Sequence, residues 1–200
     1  FVKAVRHLGD GSNKRIAEQR LVAAAYRLKD FEGANDRIDA FLSKYPEDRR
    51  GGSLLNYKML ILSSKGQDSL PQLRQLHKRI QDNVKRYGYT TSMEADRILC
   101  DFYRRIGQSE EARELYARIV HNFRRVISER QSSGQPIPVA FEKAHDNAAL
   151  QLGVIFLDEK KTSEAVKWLE NVRYDLEMKQ KARLMLAKSA YERRDFKKAI

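Results

Sequence analysis

Four stretches of the chain share one layout: Leu21–Ala34 (LVAAAYRLKDFEGA), Leu99–Ala112 (LCDFYRRIGQSEEA), Leu152–Ala165 (LGVIFLDEKKTSEA) and Leu186–Ala199 (LAKSAYERRDFKKA). Each opens on a leucine followed by a mostly small residue: Val22, Cys100, Gly153 or Ala187. Each then turns polar and closes on an alanine, three positions after an aromatic or hydroxyl residue: Phe31, Ser109, Thr162 or Phe196. Around these stretches the apolar residues recur three to four apart. Leu21, Ala24, Ala25 and Leu28 form one stripe; Ala112, Leu115, Tyr116, Ile119, Phe123 and Ile127 form another. That spacing predicts amphipathic helices, and no stretch has the alternation of a half-buried strand. The layout therefore reads as helix, short break, helix, used repeatedly.

The spacing of the closing alanines orders the repeats. Ala165 and Ala199 are 34 residues apart, while Ala112 and Ala165 are 53 apart. The extra length holds Gln131-Ser-Ser-Gly-Gln-Pro-Ile-Pro138, whose prolines, glycine and serines predict a loop. Ala34 and Ala112 are 78 apart, which leaves room for one further, degenerate hairpin at roughly Leu54–Lys85.

With these residues the chain resembles the tetratricopeptide repeat family, whose helix–turn–helix unit has a period of about 34 residues. Leu152, Gly153, Phe156 and Ala165 match the family pattern best; Leu99, Cys100, Tyr103, Gly107, Ala112 and Tyr116 are close behind. The first unit supplies Leu21, Phe31, Ala34 and a closing Pro46. The departures are Glu18, Asp96, Ala149 and Arg183 in place of the usual early Trp, and Phe41, Ile119 and Val172 in place of the usual helix-B Ala. The resemblance implies an all-α, right-handed superhelical solenoid of about five hairpins, the last truncated. The expected organisation is a lead-in over 1–14, repeats one to three over 15–130 with the second degenerate, a loop over 131–138, and repeats four and five over 139–200. Both ends read as cut from a longer chain.

A hairpin of two helices cannot bury its apolar faces alone, so the repeats must pack on one another. Leu21, Ala34, Leu99, Cys100, Ala112, Leu152, Gly153, Ala165, Leu186 and Ala199 are the expected packing residues. The resemblance places the first helices of the hairpins along a concave groove. Its expected lining is Tyr26, Arg27, Arg97, Asp101, Arg104, Arg105, Leu150, Val154, Lys181, Lys188 and Tyr191. Such a surface, basic at both ends and apolar in the middle, suits a peptide or protein with acidic and apolar anchors. Family members that clamp a terminal carboxylate use Lys and Asn where this chain has Arg97, Asp101, Leu150 and Val154, so that activity is not expected.

Composition narrows the alternatives. Cys100 is the sole cysteine, which excludes an internal disulfide and a multi-cysteine zinc site. His7, His77, His121 and His145 are not spaced as metal ligands and read as surface or partly buried helix residues. No phosphate-binding loop or nucleophile motif is present, so no enzyme activity, cofactor or metal is expected. Ser109 and Thr162 read as helix caps. No apolar run approaches the length needed to span a bilayer, and the composition fits the cytoplasm and the bacterial periplasm alike. The net charge of +12 lies in blocks: +4 over 1–30, +5 over 71–130 and +5 over 173–200, against 0 over 31–70 and −2 over 131–172. Arg118, Arg124, Arg125 and Arg130 alternate with Glu114 and Glu129 on one helix, which reads as a solvated face. The expected role is a non-catalytic scaffold or adaptor. Two alternatives stand beside it. One is a bacterial envelope assembly component, from the similarity of Ala23–Asp48 to the opening repeats of outer-membrane assembly lipoproteins. The other is polyanion binding by the basic faces, although nucleic acid is not the expected partner.

Overall fold

In a computed structural model, which describes residues 11–132, 134 and 136–192, the periodicity becomes helix throughout, and no strand occurs among these residues. The chain divides between Leu99 and Cys100 into two compact units. The first unit holds α1 (Ser12–Arg27), α2 (Phe31–Lys44), α3 (Gly51–Ser63), α4 (Leu70–Asp82), α5 (Val84–Tyr87) and the start of α6 (Tyr89–Arg105). The second holds the rest of α6, then α7 (Ser109–Ser132), α8 (Val139–Asp158), α9 (Thr162–Leu169) and α10 (Leu176–Glu192). The packing residue Ala199, most of the lead-in, His7, and the Arg125 and Glu129 side chains lie outside the described set.

Within each unit successive helices pack on one another, and some also pack on the next but one. In the first unit α1 packs on α2 and α3, and α3 also packs on α2 and α4. In the second, α8 packs on α7, α9 and α10, and α9 packs on α10.

One turn appears three times, in α1–α2, α6–α7 and α8–α9. At Lys29, Gly107 and Lys160, five residues before the closing alanine, the backbone takes φ of +60°, +78° and +59°. Three hydrogen bonds are shared by all three turns. The N–H of Leu28, Ile106 and Glu159 bonds back four residues to Ala24, Phe102 and Ile155. The N–H of Lys29, Gly107 and Lys160 bonds back three residues, and that of Asp30, Gln108 and Lys161 bonds back five. This is the Schellman ending, which satisfies the last carbonyls of a helix through one left-handed residue. The closing alanine N–H then bonds to Asp30, Gln108 or Lys161 O and starts the second helix. Asp30 caps α2 by accepting from the Gly33 N–H at 2.9 Å. The α3–α4 connection lacks this turn and passes instead through Gly66 at φ +97° and a 3₁₀ turn, Gln67–Ser69.

The equivalent alanines Ala34, Ala112 and Ala165 are fully buried. One turn further along the second helix, Ile38, Tyr116 and Leu169 are buried; so are Phe41, Ile119 and Val172 after the next. Each large apolar side chain buried in this way contributes about 2 kcal/mol. On the first helices Val22, Cys100 and Gly153 are buried, and the Cys100 thiol reaches the Ala112 carbonyl at 3.7 Å. Gly153 is required by space: a Cβ there would lie 2.4 Å from Leu169 Cδ2. Gly52 plays the same part in α3, where a Cβ would lie 2.6 Å from Tyr87 Cβ. Leu21 and Leu186 are only half-buried. The core position beside Leu21 goes to Val22, and α10 buries Ala182, Ser189 and Ala190.

Candidate functional site

In the second unit α8 and α10 pack directly on each other, and between them lies a cleft of about 430 Å³. Val154 and Leu157 line it from α8, and Met185 and Lys188 from α10. The α8–α9 turn closes one end with Asp158, Lys160 and Thr162. Lys160 reaches the rim because its left-handed backbone ends α8 there. Chemically the cleft offers an apolar floor, two ammonium groups and one carboxylate. It can take an apolar side chain with an acidic neighbour.

Glu159 beside this turn accepts from Lys161 Nζ at 2.7 Å and from Arg113 Nη1 at 3.3 Å. The Lys161 hydrogen bond, with the charges of Lys161 and Arg113, holds its carboxyl below the usual range. Arg113 also lies 5.5 Å over the Phe156 ring, so one guanidinium ties α7 to α8 and its turn. Thr162 is the first residue of α9, and Lys161 holds the cap position with no side-chain bond, so the cap expected from Thr162 does not form.

Of the eleven residues expected to line a groove, Val154 and Lys188 meet in this cleft. Leu150 does not: it is buried in the core, because α8 has neighbours in α7, α9 and α10 and keeps only a narrow exposed strip. Lys181 is exposed and pairs with Glu177 at 2.5 Å. Tyr191 is also exposed, with Leu184 nearby; Met185, one residue on, is the side chain that enters the cleft. Asp101 accepts the Tyr116 hydroxyl at 2.7 Å, and burial together with that carboxylate drives the hydroxyl pKa far up. Arg104 donates to Gln151, and the Arg105 guanidinium lies 5.5 Å from the Phe102 ring centre. In the first unit Arg97 pairs with Glu94 at 2.6 Å, Tyr26 packs against Phe31 and Tyr57, and Arg27 is exposed at the end of α1. Met185, Asp158, Lys160 and Thr162 were not anticipated. Local spacing does not mark that Met185, and not Leu184, lines the cleft.

Two histidines read as surface or partly buried residues are in fact buried against aspartates. His77 Nε2 is 2.6 Å from Asp96 Oδ1, which also accepts from Gln81 at 2.9 Å. His145 Nδ1 donates to Asp146 at 2.9 Å. Asp146 also accepts the backbone N–H groups of Arg173, Tyr174 and Asp175 at 3.1, 2.6 and 2.7 Å. Burial works to raise its pKa, but these four donors outweigh burial and hold it below the usual value. Asp146 thus fastens the connection that leads into α10.

The chain matches no family model, no curated protein and no solved structure. No helix among the described residues is long and apolar enough to cross a membrane.

Proposed function

We propose that the chain is a non-catalytic scaffold of tetratricopeptide-like hairpins, stacked as a solenoid, that holds a partner protein through the cleft between α8 and α10. The observation that carries this reading is the cleft itself. Helices α8 and α10 flank it, with Val154, Leu157 and Met185 on its floor and Lys160 and Lys188 at its rim. The thrice-used turn supports the repeat reading, since one backbone solution recurs on three sequences that share few side chains. The partner segment carries an apolar anchor beside an aspartate or glutamate.

The test is selection from a display library of random linear peptides on the intact protein. Enriched peptides should pair an apolar residue with a neighbouring acidic one. They should bind Val154→Glu or Lys188→Glu at least tenfold more weakly, a loss of about 1.4 kcal/mol. Arg20→Glu, an exposed control on α1, should bind as wild type. Failure to enrich any peptide, or equal binding to all variants, removes the proposal.

A further inference from the structure

A second cleft, of about 270 Å³, lies elsewhere in the same unit. Phe123 and Arg124 of α7, His145 of α8, and Asn171, Arg173 and Tyr174 of the α9–α10 connection line it. Its aromatic wall is well defined. Phe123 and His145 are 4.5 Å apart between ring centres, and Tyr174 stands edge-on to both at 5.4 and 5.6 Å. Phe123 and His145 are buried, whereas Tyr174 is 43% exposed.

Neither arginine at this cleft has an ion pair among the described residues. Arg124 donates to Asn171 Oδ1 at 3.3 Å and makes no ion pair among the described residues. Arg173 is exposed, and only its backbone N–H is held, by Asp146. The Asp146 carboxylate nearby is fully buried and accepts from three backbone N–H groups and His145, not from either guanidinium. The fold brings together two basic blocks that are separated in sequence, one contributing Arg124 and the other Arg173.

We infer that this cleft binds one nucleotide of a single-stranded nucleic acid, with the phosphate on Arg124 and Arg173 and the base stacked on Tyr174. Two guanidiniums supply the planar donors that suit a phosphate. An exposed aromatic ring beside them supplies a sequence-tolerant seat for a base. The basic face of α7 alone is an ordinary solvated helix; Arg173 and Tyr174, which arrive from another connection, make it a site.

Fluorescence anisotropy of a short labelled oligouridylate, titrated at several salt concentrations, tests this. Tyr174→Ala should weaken binding about fivefold or more, and Tyr174→Phe should restore it, because the ring and not the hydroxyl is used. Arg173→Gln should weaken binding more than Lys65→Gln, an exposed control in the first unit, and should flatten the salt slope by about 0.7. Both Tyr174 variants keep the backbone N–H that Asp146 holds, and an unchanged melting temperature confirms the fold. The inference is overturned if Tyr174→Ala binds like wild type, or if Lys65→Gln and Arg173→Gln lose affinity equally. It is also overturned if a phosphotyrosine peptide binds the same residues more tightly than the oligonucleotide.

Discussion

Gly153 and Asp146 show what single positions decide. Gly153 sits where α8 meets α9, and Leu169 occupies the space a side chain would need. Helix propensity favours alanine over glycine by about 1 kcal/mol, but overpacking costs about 1–3 kcal/mol, so the steric effect prevails. Gly153→Val should therefore lower stability by about 2 kcal/mol in urea unfolding. Combined with Leu169→Ala it should cost less than the two single changes added together, because the valine fills part of the cavity left by leucine. Equal additivity would show that the two residues do not share that space. The glycine was legible in the sequence, since it occupies the small-residue position of a template found four times. Asp146 was not. Its partners are backbone N–H groups 27 to 29 residues further on, and nothing in local spacing announces them. Because its folded pKa lies below the unfolded value, its contribution is complete above about pH 5 and is lost as pH falls through 3.8 towards the folded value. Asp146→Asn should accordingly destabilise the protein at neutral pH, and the gap to wild type should close on acidification. A gap that is constant across the acid range would contradict this assignment.

At the scale of the element, the α1–α2, α6–α7 and α8–α9 turns repeat one backbone path, while only one of them uses glycine at the left-handed position. Lys29 and Lys160 hold a conformation that costs an ordinary residue roughly 1 kcal/mol. Lys29→Gly should raise stability by up to about 1 kcal/mol, and Gly107→Ala should lower it by about as much, both read as shifts in the urea midpoint at constant slope. Opposite signs at equivalent positions would establish that the turns are the same structure. Two changes of the same sign would undo the equivalence. The turns were legible because a helix ending and a small residue against a neighbouring helix act within about fourteen residues; the caps were not, since Asp30 caps α2 and Thr162 does not cap α9. The α3–α4 hairpin was legible only as a gap in the spacing. Its turn is built differently, around Gly66, and its close packing depends on Gly52 meeting Tyr87.

For the molecule as a whole, helical class was readable from the period of the apolar residues, and the α8–α10 cleft proposed to bind a partner was readable only in part. Val154 and Lys188 were named from their phase on their own helices, and they do meet in one cleft. Leu150 was named by the same rule and is buried, because the rule cannot count how many neighbours a helix will have. The basic excess likewise acquires meaning only after folding, when Arg124 and Arg173 line one cleft. Methyl NMR of the protein titrated with a display-selected peptide would show whether the cleft between α8 and α10 holds the partner proposed for it. The largest shifts should fall on Val154, Leu157 and Met185; shifts confined to Val139 or other methyls that do not line the cleft would disprove the proposed site.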